Sequence, residues 1–292
     1  MIPAPFKYAA VRSVDEAVDL LADNADAKVL AGGHSLLPLM KLRLATPGVL
    51  VDINRIPGLD YIREDEALER LTIGALTRHV DLERSELIRE RYPLLWEAAR
   101  GIGDPQVRNR GTLAGSVAHA DPASDWPAAL LAAEAEVVAT GKSGQRVIPI
   151  VRLYVGILTT SLQVEELVTE VRVPLPRPRS GGAYEKLERK VGDYAVIGVG
   201  VQLSFNEAGT IATAGIGLCN AGSTSLRART AEAFLVGKPP APDNVNEAAR
   251  LAMDDSDPVE DDRGPVDYKR AMVRELTRRA LTRALERARG GK

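Results

Sequence analysis

The chain has 292 residues, 45% of them hydrophobic, and a formal charge of −2, which is enough apolar material for a core in more than one domain and lacks the positive excess of a nucleic-acid binder. Its single cysteine, Cys219, excludes an internal disulfide and any cysteine-ligated zinc or iron–sulfur centre built from this chain alone. With no basic-then-apolar leader and no apolar run near the roughly 20 residues a bilayer requires, the expected location is cytoplasmic.

Ser13 and Glu16 have the spacing of a capping box, and Val14, Ala17, Val18 and Leu21 then mark one helix face. Lys28–Ala31 reads as a short buried strand that Gly32-Gly33 breaks. A helix from Leu36 to Leu44 and a strand at Val49–Ile53 follow, a β-turn-α-β unit that predicts a parallel or mixed sheet. Next come a strand at Leu71–Ala75 and helices around Val80–Leu87 and Leu94–Ala99. Gly111-Thr112-Leu113-Ala114-Gly115-Ser116 is small where a strand carries β-branched bulk, so another backbone or a ligand comes close there. A helix from Trp126 to Ala133 is preceded by Asp121 and Asp125, either placed to cap it. A hairpin joins Glu136–Thr140 to Arg146–Ile150, and Leu167–Val173 is a strand.

Pro174–Gly182 is rich in proline and glycine and marks a domain boundary. The charged stretch Tyr184–Ala195 reads either as a solvated loop or, through Tyr194, as a flat surface for a ring system. Ala195–Phe205 and Ile211–Asn220 form two antiparallel strands. Helices near Thr230–Leu235, Val245–Met253 and Val266–Arg289 follow, with an acidic loop at Asp254–Asp262. In the last helix Val273, Leu276, Ala280 and Ala284 form an apolar stripe. From Lys269 to Lys292 nine basic residues stand against Glu275 and Glu286. That basic face is either offset by the acidic loop or free to meet an acidic partner or anionic lipid.

The chemistry concentrates in two glycine-centred segments. Ala31-Gly32-Gly33-His34-Ser35 has neither the G-x-G-x-x-G nor the G-x-x-x-x-G-K-S/T spacing. Glycine nevertheless lets a backbone present its N–H groups to an anion. Two such segments suggest one anionic ligand held from two sides, and a dinucleotide pyrophosphate fits. His34, His79 and His119 are scattered without H-E-x-x-H pairing, so no metal site is expected, and no G-x-S-x-G elbow exists. Cys219 lies in an apolar strand and reads as core.

Ala31-Gly32-Gly33-His34-Ser35-Leu36, Gly111–Gly115 with Ala120-Asp121-Pro122-Ala123-Ser124-Asp125, and Lys190-Val191-Gly192-Asp193-Tyr194-Ala195 occur in this order. The combination resembles the FAD-binding medium subunits of the molybdenum hydroxylase (xanthine dehydrogenase) family. The stretch Ala183–Ala195 is most similar to the branch holding the aerobic molybdenum/copper carbon monoxide dehydrogenases, and the resemblance covers nearly the whole chain. It implies an α+β fold: a two-lobed FAD-binding domain of the vanillyl-alcohol-oxidase (PCMH) type over 1–176, with lobes at about 1–55 and 56–176. A small C-terminal domain of antiparallel sheet plus helices follows over 177–292.

The resemblance further implies FAD contacts at Leu30, Ala31, Gly32, Gly33, His34, Ser35 and Leu36 and at Thr112, Leu113, Ala114, Gly115 and Ser116. It adds Asp125 on the ribityl side, Val168, Lys186 near the lysine that some relatives place by the flavin, and Asp193 with Tyr194, the aromatic over the isoalloxazine. Many relatives have Thr-Ile-Gly-Gly-Asn where this chain has Thr112-Leu113-Ala114-Gly115-Ser116, which leaves Ser116 a hydroxyl in place of an amide. No catalytic residue is implied here. The resemblance implies that the molybdenum cofactor and [2Fe-2S] clusters belong to a large molybdenum subunit and a small iron–sulfur subunit, in a dimer of heterotrimers. It further implies that electrons pass through FAD to an external acceptor, a quinone in the carbon monoxide branch, at the inner face of the cytoplasmic membrane. An aldehyde, purine or aromatic heterocycle as the substrate, or a binding module with no redox role, are the alternatives.

Overall fold

A computed structural model describes residues 2–291. The chain first builds β1 (Lys7–Ala10), α1 (Val14–Asp23), β2 (Lys28–Leu30), α2 (Leu36–Lys41) and β3 (Val49–Asp52). The three strands form a parallel sheet in the order β1-β3-β2. Ser13 caps α1 by accepting from the Glu16 N–H at 3.1 Å, while the Glu16 carboxylate reaches back to the Arg12 N–H at 2.8 Å. Helix α2 stops three residues earlier than its pattern predicts. Arg43 adopts φ +59, and bonds from Leu44 N to Leu39 O and Arg43 N to Met40 O close a Schellman turn.

The second lobe comprises β4 (Ile62–Asp65), β5 (Arg70–Gly74), α3 (His79–Arg84), α4 (Glu86–Arg91), α5 (Pro93–Arg100), α6 (Pro105–Arg110), α7 (Leu113–His119), α8 (Asp125–Ala132), β6 (Glu136–Gly141), β7 (Gly144–Pro149), β8 (Tyr154–Gly156), β9 (Thr159–Thr160) and β10 (Leu167–Pro174). Its sheet runs β4-β5-β10-β6-β7, antiparallel throughout. The helices cover a core that includes Leu71, Ile73, Leu113, Trp126, Val137 and Val171. β8 and β9 form a separate two-stranded flap.

The last third is β11 (Ser180–Leu187), β12 (Ile197–Phe205), β13 (Ile211–Cys219), β14 (Leu226–Arg227), α9 (Arg229–Leu235), α10 (Pro242–Asp254) and α11 (Val266–Ala288), with the strands antiparallel in sequence order. This sheet is pressed between two helices. On one face α8, every residue of which is buried, lies directly on the strands. A Cβ at Gly215 or Gly217 would overlap the Ala132 or Ala128 carbonyl oxygen, so glycine sets the helix–sheet distance. On the other face a Cβ at Gly181 would overlap Ala284 of α11, and Val273, Leu276, Ala280 and Ala284 of the predicted stripe are buried.

Four local expectations change. The small-residue segment after Gly111 is no strand but the start of α7, with Thr112 as its N-cap accepting from Gly115 N. Neither Asp121 nor Asp125 caps α8: Ser124 holds that position, Asp121 turns its own loop by accepting from Ala123 N at 2.9 Å, and Asp125 is committed elsewhere. The charged stretch from Tyr184 is only half a solvated loop: Tyr184–Leu187 lie within β11, with Tyr184 buried, while Arg189, Lys190 and Val191 form the exposed loop. The basic charge of α11 is largely paired internally: Arg287 with Glu97 at 2.6 Å, Arg283 with Glu97 and Glu185, Lys269 with Asp261 at 2.8 Å, and Arg278 and Arg279 with Glu275.

Candidate functional site

The two glycine segments cross. A Cβ at Gly32 would overlap the Arg110 carbonyl and come within 2.7 Å of the Gly111 Cα, so no larger residue fits where the segments meet. A polar clamp holds the crossing. Asn54 donates to the Ala31 carbonyl at 2.9 Å and accepts from Arg78 at 2.6 Å, and Arg78 also donates to the Arg110 carbonyl.

Beside the crossing opens a cleft of about 650 Å³ bounded by all three parts of the chain. The first lobe contributes Ala31–Leu36, the second Gly111, Thr112, Gly115, Ser116 and Asp125, and the last third Gly192, Asp193 and Tyr194. Gly33 has φ +79, a conformation glycine adopts without strain. Among the described residues, no acceptor meets the backbone N–H groups from Gly32 to Leu36. The Ser35 hydroxyl caps nothing. A concave run of free amides beside a hydroxyl that faces Tyr194 is chemistry for an anion with several oxygens. The second segment offers less: its Gly115 N–H is bound by Thr112, Leu113 N bonds Thr77 O at 3.2 Å, Gly111 N and Ser116 N are bonded too, and among the described residues Thr112 N and Ala114 N are left without an acceptor.

Leu113, Ala114 and Val168 turn their side chains into the core, and Leu30 packs beside Gly33. Lys186 lies behind the cleft wall. Its ammonium donates to the Gly101 carbonyl at 2.8 Å and to Asp125 at 3.0 Å, and Asp125 also accepts from Tyr184 at 2.8 Å. Burial pushes the Asp125 carboxyl above the usual carboxylate range, opposed by the Lys186 ammonium and the Tyr184 hydroxyl. Tyr184 in turn faces Cys219 at 3.6 Å, and burial pushes that thiol up to about 12, so it is an inert neutral group, as its core position predicts.

Tyr194 is 40% exposed at the cleft mouth. Its loop is fixed by Asp193, which accepts from the Tyr194 N–H at 2.8 Å and pairs with Arg189 and Arg263. Gly192, at φ +87, packs against Gly103. Two further parts of the wall were not visible in the sequence. The β8–β9 flap supplies Leu158, Thr159 and Thr160, and His79 lies under Gly111. The described residues contain no group of three His, Cys, Asp or Glu placed to hold a metal ion.

The profile of the FAD binding domain in molybdopterin dehydrogenase matches residues 4–176, and that of the CO dehydrogenase flavoprotein C-terminal domain matches residues 182–284. The chain belongs to the FAD-binding subunits of the molybdenum hydroxylases. It is 46% identical to the carbon monoxide dehydrogenase medium chain of Hydrogenophaga pseudoflava, covering 98% of this chain and 99% of that one. It is 41% identical to the 6-hydroxypseudooxynicotine dehydrogenase complex subunit alpha of Paenarthrobacter nicotinovorans, over 99% and 97% of the two chains. The solved carbon monoxide dehydrogenase from Hydrogenophaga pseudoflava superposes with a TM-score of 0.94 at 48% identity, covering 98% of this chain and 99% of that one. The chain is therefore a molybdenum hydroxylase flavoprotein, an oxidoreductase subunit that binds FAD.

Proposed function

We propose that this flavoprotein carries electrons out of a carbon monoxide-oxidising complex, from [2Fe-2S] clusters of a small subunit to a quinone. The oxidation of carbon monoxide to carbon dioxide takes place on a large molybdenum subunit, within a dimer of heterotrimers. The observation that carries the reading is the run of acceptor-free amides from Gly32 to Leu36 in a cleft lined by three parts of the chain. Those groups fit a pyrophosphate, with Ser35 and Ala114 N adding donors. FAD held there supplies a carrier able to take up and release electrons one or two at a time. Asp125, fixed by Lys186 and Tyr184, stands on the ribityl side. Tyr194, on its anchored loop, covers one face of the isoalloxazine, and Asp193 holds that loop in place. Val168, Leu113 and Leu30 back the wall from the core.

The substrate assignment rests on similarity, since no residue of this chain meets the molecule that is oxidised. Quinone reduction brings the complex transiently to the inner face of the cytoplasmic membrane. The largely paired α11 does not supply that contact, and among the described residues no helix is long and apolar enough to cross a membrane.

The test is co-expression with the adjacent large and small subunits, purification of the complex, and anaerobic addition of carbon monoxide while flavin absorption is followed. Bleaching by carbon monoxide supports the whole reading. Bleaching only by an aldehyde, purine or pyridine-type heterocycle moves the complex to another branch of the family, the alternative that the 41% identical nicotine-pathway relative keeps open. A complex that assembles without flavin overturns the cofactor assignment, and the chain is then a binding module.

A further inference from the structure

His79 is the buried polar group that the reading above leaves without a task. It begins α3, is almost fully buried, and lines the floor of the cleft. Its backbone N–H donates to Gly111 O at 3.0 Å, which ties it to the loop crossing. On the ring, Nδ1 accepts from the indole N–H of the fully buried Trp126 at 3.0 Å. An imidazole whose Nδ1 accepts must, when neutral, carry its proton on Nε2. Burial, with Arg78 and Arg108 nearby, drives the imidazole pKa down to about 3, so the ring is neutral at any working pH. Nε2 is therefore an N–H donor, and among the described residues it has no acceptor. It lies against Gly111, where a Cβ would stand 2.7 Å from that nitrogen; glycine is what leaves it uncovered. Nε2 is not among the sealed, unpartnered side-chain atoms of the described residues; it is open to the cleft that His79 lines, so a group filling that cleft is placed to accept from it.

We propose that His79 is a further cofactor-binding residue, donating Nε2–H to a phosphate oxygen of the FAD pyrophosphate at the crossing of the two glycine segments, with Trp126 as the positioning residue that holds the required tautomer. The proposal rests on the placement of FAD in this cleft. It gives the crossing a neutral donor, which binds the anion without the cost of burying a second charge beside Arg78 and Arg110.

The experiment uses the co-expressed, flavin-loaded complex. FAD release on dilution is followed by the recovery of flavin fluorescence, and ADP, which carries a pyrophosphate without a flavin, is the competitor. His79→Leu is expected to weaken FAD and ADP alike by about tenfold, in line with the loss of one donor to a charged acceptor. His79→Gln keeps an uncharged N–H donor and is expected to stay within about threefold of the wild type. Trp126→Phe frees Nδ1, lets the ring populate the other tautomer, and is expected to cost about threefold. Glutamine has no tautomer to fix, so Trp126→Phe in the His79→Gln background should cost nothing more; a purely structural tryptophan would cost the same in both backgrounds. Unchanged FAD and ADP affinity in His79→Leu, or additive losses in the double variant, overturn the proposal. If His79→Leu does not assemble, the Trp126→Phe and His79→Gln cycle decides alone. Wild-type complex that holds no FAD defeats the cofactor reading itself, a result distinct from FAD bound with equal strength by every variant.

Discussion

The two glycine segments look alike in the sequence and do opposite things in the structure. Gly32–Leu36 leaves its amides without acceptors among the described residues. Gly111–Ser116 uses most of its groups internally: Thr112 caps α7, Leu113 N is bound to Thr77, and Gly111 O is bound to His79 N. On the proposed reading the first segment is the binding surface, and the second is the brace that fixes its distance, through backbone packing at Gly32 and Gly111 and through the Arg78–Asn54 clamp. Small residues thus mark two needs, access for a ligand and close approach of two chains. Which need applies depends on where the neighbouring hydrogen bonds go.

Substitutions separate the two roles. The largest effect is expected from Gly32→Val, whose side chain would collide with backbone at Arg110 and Gly111 rather than with a movable side chain. Flavin per protomer should fall to nearly zero and the unfolding temperature should drop with it. Gly33→Val places a β-branched residue at φ +79, where strain of about 1–3 kcal/mol is expected. Flavin should be lost with a smaller drop in unfolding temperature, because the Cβ meets only the ends of Leu37 and Leu30. Full flavin occupancy in Gly33→Val would show that the first segment is also only a brace.

The hydroxyls give a finer contrast. Thr112→Ala removes the α7 cap and should cost about 1 kcal/mol of stability in denaturant unfolding. Ser35→Ala removes a hydroxyl that caps nothing, so stability should stay within about 0.5 kcal/mol while FAD affinity falls severalfold. The opposite pattern, a stable Thr112→Ala and an unstable Ser35→Ala, would reverse the assignment of the two segments. The smallest effect on binding is expected at Tyr194→Ala. Flavin occupancy should change little, whereas removing the ring from one face of the isoalloxazine should shift the reduction potential or the rate of transfer to the acceptor. For a two-electron couple about 30 mV corresponds to roughly 1.4 kcal/mol. No change in either quantity would place Tyr194 away from the flavin.

The β-turn-α-β unit, the hairpin at Gly141–Gly144, the paired long strands and the terminal helix were legible in the sequence, because periodicity and turn residues record local preferences. β11 was not. Its charges resemble a solvated loop, but Lys186 reaches Asp125 at a separation of 61 residues and Glu185 reaches Arg283 at 98. Charge that is neutralised across the fold looks like exposed charge along the chain. α7 was missed for a related reason: Thr112 is an ordinary N-cap, but the glycines around it obscure the helix. In the candidate site, the place of Ala31–Leu36 on the cleft wall was legible because glycine and serine before a helix carry their own meaning. His79 was not, since its partner Trp126 lies 47 residues away. Neither was the β8–β9 flap, whose strands of three and two residues are too short to carry a periodic signal.

The central claim is that the amides from Gly32 to Leu36 hold the pyrophosphate of FAD. A structure of the assembled, flavin-loaded complex tests it most directly, through the positions of the two phosphates. The account predicts phosphate oxygens within hydrogen-bonding distance of those N–H groups and of Ser35. Pyrophosphate located elsewhere, with the Gly32–Leu36 amides bonded to a partner subunit, would contradict it.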